Sequence, residues 1–323
     1  MYFSAMIAVH HKAKQYLLAT AKVLVLAVTF GYIFFKLKNN DSLGFIEFTS
    51  GIFSKGSIAI YSLLFFGFLA TANWYFEILK WQSLVSTFEQ ISFKTALKQS
   101  LASLTVSLAT PNRIGEYGAK AFFFENRKRK KILLLNFFSG AAQMLVTTFF
   151  GVFGLLYLLR NFNIPYSVTM LCYFGIGAIL LLAIGFYFKE KELFLKGFSI
   201  AKTIQFFQSI PFQIKFKAVL FSVFRYVTFS GMFYGLLLFF GGNINFPETI
   251  PLIFAMYFLV SILPTLFIFD VVIRGGVAVW LFSFAGVPEL IVLSTVLAMW
   301  LLNFVMPSLL GSFFVLTYQP TTK

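Results

Sequence analysis

Charged residues are scarce in this sequence. They make up 11% of the 323 residues, whereas hydrophobic residues make up 59%, and the mean hydropathy is +0.85. A soluble protein needs a charged exterior, and this composition does not supply one over such a length. A bilayer removes that need, because lipid tails accept apolar side chains on every side of a helix. The composition therefore predicts one integral membrane domain over residues 1–323.

Residues of common catalytic and metal chemistry are also scarce. Cys172 is the only cysteine, so no disulfide can form within the chain. The two histidines, His10 and His11, precede the first apolar stretch, and no His, Cys and Asp cluster has metal-site spacing. The sequence lacks a G-x-S-x-G motif, a P-loop and a dinucleotide fingerprint. We therefore expect no metal, no cofactor and no enzymatic activity.

Seven apolar stretches reach the length of about 20 residues that a spanning helix needs. They are 17–37, 57–79, 132–159, 167–188, 218–240, 250–269 and 290–318. Two further stretches, 99–112 and 275–288, hold only 14 residues each without a charge, or about 21 Å as helices. We therefore predict an all-α, polytopic transmembrane helix bundle with about seven spanning helices and two short re-entrant or broken segments.

Basic residues outnumber acidic ones, 26 against 11, and sit in short loops between apolar stretches. Residues 80–98, 113–131 and 189–217 hold three, seven and six of them, whereas 160–166 holds one. The positive-inside rule makes the first three loops cytoplasmic and the last external. We therefore expect a multi-pass protein of the cytoplasmic (inner) membrane with a cytoplasmic N-terminus, membrane lipids as partners and no nucleic acid. This pattern does not assign the C-terminus to one side of the membrane. Residues 189–217 also suit a helix in the headgroup plane, with a loosely ordered basic loop as the alternative.

The first candidate site follows the short segment 99–112. Pro111 ends that segment, Gly115 permits a tight backbone, and Arg113 and Glu116 are spaced to pair on a helix. The planar guanidinium of Arg113 can grip two phosphate oxygens. The alternative is that Arg113 is a positive-inside anchor with Glu116 as its surface partner.

The second candidate site precedes the short segment 275–288. It contains Pro264, Asp270, Arg274 and Gly275, and the spacing of Asp270 and Arg274 suits an ion pair on a helix. Interrupted short segments in both halves of a chain point to a transporter site. The alternative is an exposed ion pair in a cytoplasmic turn.

Isolated polar residues inside the apolar stretches are further candidates. Glu77 is either a proton or headgroup partner, or an interfacial residue beside Lys80 and Trp81, and we favour the interfacial position. Arg225 either faces a cavity or snorkels to the cytoplasmic surface.

Gln143 and Asn303 also lie within apolar stretches. An amide side chain in such a position satisfies its polar atoms best by bonding to a neighbouring helix. We therefore interpret both residues as interhelical hydrogen-bonding groups.

At residues 110–116 the sequence resembles the lysylphosphatidylglycerol synthase transmembrane-region family. The first hallmark of that family reads P-x-R-x-G-E after a short hydrophobic segment, and Pro111, Arg113, Gly115 and Glu116 match it. The sequence around Trp81 and the turn at 91–93 is similar to the family as well.

The second hallmark is a proline followed by a glycine-rich stretch that ends in G-x-R-E. Pro264, Arg274 and Gly275 fit it loosely. Gly275 stands where many members have glutamate, and Asp270 lies in a region that is usually glycine-rich. The resemblance covers about residues 17–317.

This resemblance implies a lipid flippase that moves a phospholipid, or an isoprenoid- or glycolipid-linked headgroup, across the membrane. In such a flippase we assign substrate binding to Arg113, Glu116, Asp270 and Arg274 of the two motifs. We add Glu77 and Arg225 as ionisable residues within apolar stretches. The lipid synthetases add a soluble transferase domain, so we do not expect this chain to make lysylphosphatidylglycerol itself. The alternative function is a non-catalytic accessory subunit that docks a glycosyltransferase or another lipid-pathway enzyme through the basic run 127–131. A membrane enzyme that acts on a lipid headgroup ranks below both.

Overall fold

The computed structural model describes residues 56–107, 114–162, 199–263 and 267–318, together with the single residues 50, 110, 183, 187 and 190; over 267–270 it describes the backbone. Every regular element in these ranges is a helix, which confirms the all-α class there. In chain order the helices are α1 (Ser57–Val85), α2 (Phe93–Ser107), α3 (Gly115–Phe122), α4 (Arg129–Asn161), α5 (Ile200–Ser209), α6 (Phe212–Phe239), α7 (Phe246–Ile262), α8 (Phe267–Ser283), α9 (Glu289–Trp300) and α10 (Met306–Leu316). A π-helical turn, Leu301–Val305, joins α9 to α10.

Four helices are long and apolar enough to cross a membrane: α1, α4, α6 and the continuous helix Glu289–Leu316. They contain 28 to 33 residues, or about 42–50 Å at 1.5 Å per residue, against a hydrocarbon core of roughly 30 Å. Large apolar side chains such as Phe68, Leu156 and Leu309 remain exposed on them, as a lipid solvent allows. These helices support the multi-pass membrane character predicted from the sequence.

The predicted number of seven spans is not confirmed. Stretch 17–37 lies outside the described residues, and so does 167–188 apart from residues 183 and 187. Stretch 250–269 is wrong as one span, because α7 ends at Ile262 and α8 begins at Phe267. Leu263 has extended backbone, with ψ at 127°, and it precedes Pro264, which disfavours helical backbone in the residue before it.

The predicted short segment 275–288 is also corrected. Helix α8 already includes Gly275 and runs to Ser283, and the chain turns at Gly286, where φ is +67°. Each of α7 and α8 has 17 residues, or about 25 Å. The other short segment, 99–112, overlaps α2, which has 15 residues, or about 22 Å, and its re-entrant or broken character stays a prediction. Residues 108–109 and 111–113 after α2 lie outside the described part.

Helix packing brings the functional candidates together. Helix α1 lies along α6, α4 along α7, and α10 along α2. Glycines permit two of these close approaches: a Cβ on Gly154 would meet the Pro251 carbonyl oxygen and the Ala255 nitrogen, and a Cβ on Gly311 would meet the Leu101 carbonyl oxygen.

Residues 200–209 form a helix within the basic stretch 189–217. The Ser199 hydroxyl accepts a hydrogen bond from the Lys202 amide at 3.2 Å and caps this helix, α5. Phe207 packs on Phe137 and Phe138 of α4, with ring centroids 5.9 and 5.1 Å apart. The helical alternative is therefore supported over these residues, and its position in the headgroup plane stays a prediction.

Candidate functional site

A buried carboxylate, Glu77 of α1, holds two cations. Its Oε2 lies 2.8 Å from Lys80 Nζ and accepts a hydrogen bond from Arg225 Nη1 of α6 at 2.7 Å. The Glu77 and Lys80 side chains are only 9% and 1% exposed, and Trp81 beside them is fully buried. These residues therefore lie between helices inside the protein, beside one another as predicted, and the interfacial depth that we favoured for Glu77 stays a prediction.

A second ion pair, between a buried lysine and a partly buried glutamate, lies on α3. Lys120 Nζ donates to Glu116 Oε1 at 2.8 Å and to Asn136 Oδ1 of α4 at 2.8 Å, and it sits 4.3 Å from the Trp81 ring centroid. The spacing of Glu116 and Lys120 places both on one helical face. Burial, with the Glu116 carboxylate beside it, raises the pKa of Tyr117.

The two ion pairs face one small cavity of about 40 Å³. Its wall is formed by Trp74, Glu77, Ser100, Leu104, Glu116, Lys120 and Arg225. With Lys80 included, the surrounding charges are three cations and two carboxylates, so the cluster is net positive. Burying such charges is costly unless they are paired, and the pairs described above meet that need.

An amide relay connects Arg225 to the π-helical turn. Arg225 Nε donates to Asn73 Oδ1 at 3.2 Å, and Asn73 Nδ2 donates to Asn303 Oδ1 at 2.9 Å. Trp74 Nε1 donates to the Asn303 carbonyl oxygen at 3.0 Å. The interhelical role predicted for Asn303 is therefore confirmed. Single π turns of this kind occur often at functional sites.

Arg225 also lines a second cavity, the large cavity, which has a volume of about 210 Å³. The wall of this large cavity includes Asn73, Gln143, Thr147, Arg225, Ser261 and Arg274. Arg274 comes from α8, and its guanidinium carbon lies 5.7 Å from the Phe304 ring centroid. Two arginines from different helices thus face one cavity, and Arg225 faces both cavities. A phosphate or another anion is the ligand that paired guanidinium groups suit best.

The predicted site residues fall into three groups. The structure brings Glu77, Glu116 and Arg225 together around the small cavity, and Arg225 and Arg274 around the large one. Pro111, Arg113 and Pro264 lie outside the described residues, as does the side chain of Asp270.

The two predicted motif glycines differ in setting. Gly115 begins α3, its amide donates to Thr110 Oγ1 at 2.7 Å, and a Cβ there would lie 2.8 Å from the Thr110 side chain. Gly275 lies inside α8 rather than at a break, facing Leu293 of α9.

Sequence reasoning missed Lys80, Lys120 and Asn136 as parts of the site. Lys80 and Lys120 were counted as loop charges, although each follows a glutamate at helical spacing, which was the available signal. Gln143 was expected to bond to another helix, but its buried Oε1 has no hydrogen-bond partner within the described ranges.

No family model, no curated protein and no solved structure matches this chain. Within the described residues there is also no group of three or more His, Cys, Asp and Glu side chains that could hold a metal ion. The features of the described residues that bear on function are therefore the two cavities and the charges around them.

Proposed function

We propose that this protein is a flippase-like transporter that moves a phosphate-bearing lipid headgroup across the cytoplasmic membrane. The observation that carries the proposal is the large cavity, in which Arg225 and Arg274 face one space among apolar helices. An unpaired charge in hydrocarbon costs several kcal/mol. A headgroup therefore needs a polar path, and guanidinium groups offer its phosphate two hydrogen bonds each.

The small cavity extends this polar path. It shares Arg225 with the large cavity and carries Glu116 and Lys120 at its far side. The positive-inside rule makes loops 80–98 and 113–131 cytoplasmic, so the small cavity is the cytoplasmic part of the path. The headgroup passes from Lys120 to Arg225 and then to Arg274.

The resemblance to the lysylphosphatidylglycerol synthase transmembrane-region family supports the same function. Glu116 belongs to the first hallmark and Arg274 to the second, and each lines one of the two cavities. In this proposal Arg113 receives the phosphate at the cytoplasmic side, with Glu116 orienting it.

A lipid-scrambling assay in proteoliposomes tests the proposal. Fluorescent phospholipids are quenched from outside, and the rate at which inner-leaflet lipid becomes accessible is measured. We expect Arg274→Ala and Arg225→Ala to lower the rate about tenfold or more, because each removes charged hydrogen bonds to the phosphate. The matched control is Arg160→Ala, an exposed arginine at the end of α4, which keeps the wild-type rate.

Two results would oppose the proposal. Wild-type protein that moves no lipid of a broad panel faster than empty liposomes would favour the accessory-subunit alternative. Equal scrambling rates for Arg274→Ala and wild type would show that the large cavity is not part of the transport path.

A further inference from the structure

The carbonyl oxygen of Asn303, in the π-helical turn, accepts a hydrogen bond from another helix. In an α-helix each carbonyl accepts from the amide four residues further on, and for Asn303 that residue is Pro307, which has no N–H group. The Trp74 indole of α1 donates to this carbonyl at 3.0 Å. Neighbouring helices commonly satisfy backbone groups that a proline frees inside a membrane. The π-helical turn is therefore anchored to α1 at Asn303.

The side chains of Asn73 and Asn303 form a series of hydrogen bonds that runs in one direction. Arg225 Nε can only donate, so Asn73 presents its oxygen to it, at 3.2 Å. Asn73 Nδ2 then donates to Asn303 Oδ1 at 2.9 Å. Asn303 Nδ2 donates in turn to the Met299 carbonyl oxygen, which can only accept, at 3.1 Å. Both ends of the series require the same amide orientation, which fixes Asn73 Oδ1 as the acceptor for Arg225.

Burial separates the two amides from the arginine that they support. Asn73 and Asn303 are 1% and 2% exposed, so they offer little surface to a ligand, whereas the Arg225 side chain is 21% exposed. Among the described residues, hydrogen bonds to Asn73 and Glu77 use two of the five N–H groups of Arg225, and three remain for a ligand. Because an amide is neutral, Asn73 holds the guanidinium without cancelling its charge.

On these grounds, and resting on the proposed function, we infer that Asn73 and Asn303 are positioning residues that hold Arg225 in the orientation in which it binds the lipid phosphate. Glu77 holds Nη1 and Asn73 holds Nε, and these two bonds together fix the plane of the guanidinium. A free arginine side chain has several rotatable bonds, and ordering them during binding lowers affinity. Here the ordering is complete before the phosphate arrives.

A double-mutant cycle on the lipid-scrambling rate of the full-length protein tests this role. We expect Asn73→Leu to lower the rate about tenfold, because it removes one hydrogen bond to a charged group. In an Arg225→Ala background the same substitution should change the rate by about twofold or less, since no guanidinium remains to be positioned. A tenfold loss in both backgrounds would mean that Asn73 contacts the lipid or only supports the fold, and it would overturn the inference.

Asn303 provides a second test that does not depend on the rate of an Arg225 variant. An aspartate at this position accepts from Asn73 Nδ2 in either protonation state, whereas a leucine does not. We therefore expect Asn303→Asp to scramble lipid within about threefold of the wild-type rate and Asn303→Leu to be about tenfold slower. Equal losses in the two folded variants overturn the inference. Unfolding midpoints show whether each variant folds, and the Asn73 cycle decides if one does not.

Thr105→Val is the matched control. Thr105 Oγ1 of α2 donates to the Ser308 carbonyl oxygen of α10 at 2.9 Å, and Thr105 lines neither cavity. Loss of this interhelical bond should leave the scrambling rate unchanged.

The outcomes separate this inference from the proposed function. Scrambling by the wild type, together with equal effects of Asn73→Leu in the two backgrounds, overturns the positioning role and leaves the transporter intact. Absence of scrambling by the wild type overturns both.

Discussion

Glu77 is the carboxylate on which a buried lysine and a partly buried arginine depend. Lys80 and Arg225 both bond to its Oε2, and in the described part of the bundle neither forms an ion pair with a second carboxylate. Removing one partner of a buried ion pair leaves an uncompensated charge, whereas replacing every member with apolar residues is often neutral. The effect of a substitution on stability therefore depends on whether an unpaired charge remains in the site.

We expect Glu77→Ala to destabilise the protein by about 3–5 kcal/mol, because it strands two cations in a buried site. The measurement is thermal or denaturant unfolding of the detergent-solubilised protein. The triple variant Glu77→Leu, Lys80→Met, Arg225→Met should recover most of that loss, although it should not transport lipid.

An exposed ion pair provides the control for this experiment. Lys128 donates to Glu89 at 2.7 Å, but both side chains are more than a third exposed. Surface pairs contribute little, so Lys128→Ala should leave the unfolding transition unchanged. A loss as large as that of Glu77→Ala would contradict the distinction between buried and surface charge.

Sequence spacing revealed only part of this charged cluster. The pairs Glu77–Lys80 and Glu116–Lys120 are visible in the sequence, because residues three or four apart share a helical face. The bond between Glu77 and Arg225 joins positions 148 residues apart, and no local pattern indicates such a contact. Whether Lys80 faced water or the interior also depended on how α1 packs against α6, which composition does not specify.

At the scale of helices, backbone contact between α2 and α10 depends on Gly311. A Cβ at this position would overlap the Leu101 carbonyl oxygen and crowd Thr105. We expect Gly311→Ala to destabilise the protein by about 1–3 kcal/mol, because the added methyl forces the helices apart. Unfolding of the purified variant measures the effect.

Gly231 of α6 is the matched control, because a Cβ there would meet nothing within 4 Å. Gly231→Ala removes backbone freedom from the unfolded chain without a clash, so it should be neutral or stabilising by up to about 1 kcal/mol. Equal losses in the two variants would show that helix contact is not the cause.

The long helices could be predicted from the sequence, whereas one break could not. Stretches 57–79 and 132–159 are predominantly apolar and lie inside α1 and α4, and about 20 such residues suffice to span a bilayer. Stretch 250–269 is similarly apolar, so its hydropathy does not indicate that α7 ends within it at Ile262. Pro264 was the local signal, through its effect on the backbone of Leu263.

At the scale of the whole molecule, the bundle has two distinct ends. At one end Lys128 bonds to Glu89, which follows α1. At the other end Phe162 packs on Phe284, with ring centroids 5.6 Å apart. We propose from the positive-inside rule that the first end is cytoplasmic, because the basic run 127–131 lies there.

Cysteine labelling tests this orientation. In a Cys172→Ser background, we expect Arg127→Cys to react with a membrane-impermeant maleimide only when the cytoplasmic face is open to the reagent. Asn243→Cys, an exposed position between α6 and α7, should react only from the opposite face. The reverse pattern would invert the proposed direction of the path, and labelling of the cysteine-free background would invalidate the assay.

Helices of unequal length stand side by side in this bundle. The 17 residues of α8 cover about 25 Å, less than the thickness of a typical hydrocarbon core, and Trp280 on its surface is exposed. Lipid next to a short helix must compress its chains to meet it, at a cost of a fraction of a kcal/mol per ångström. We therefore expect the bilayer to be thinned beside short helices such as α8, which carries Arg274, and this thinning would shorten the apolar barrier that a polar group has to cross.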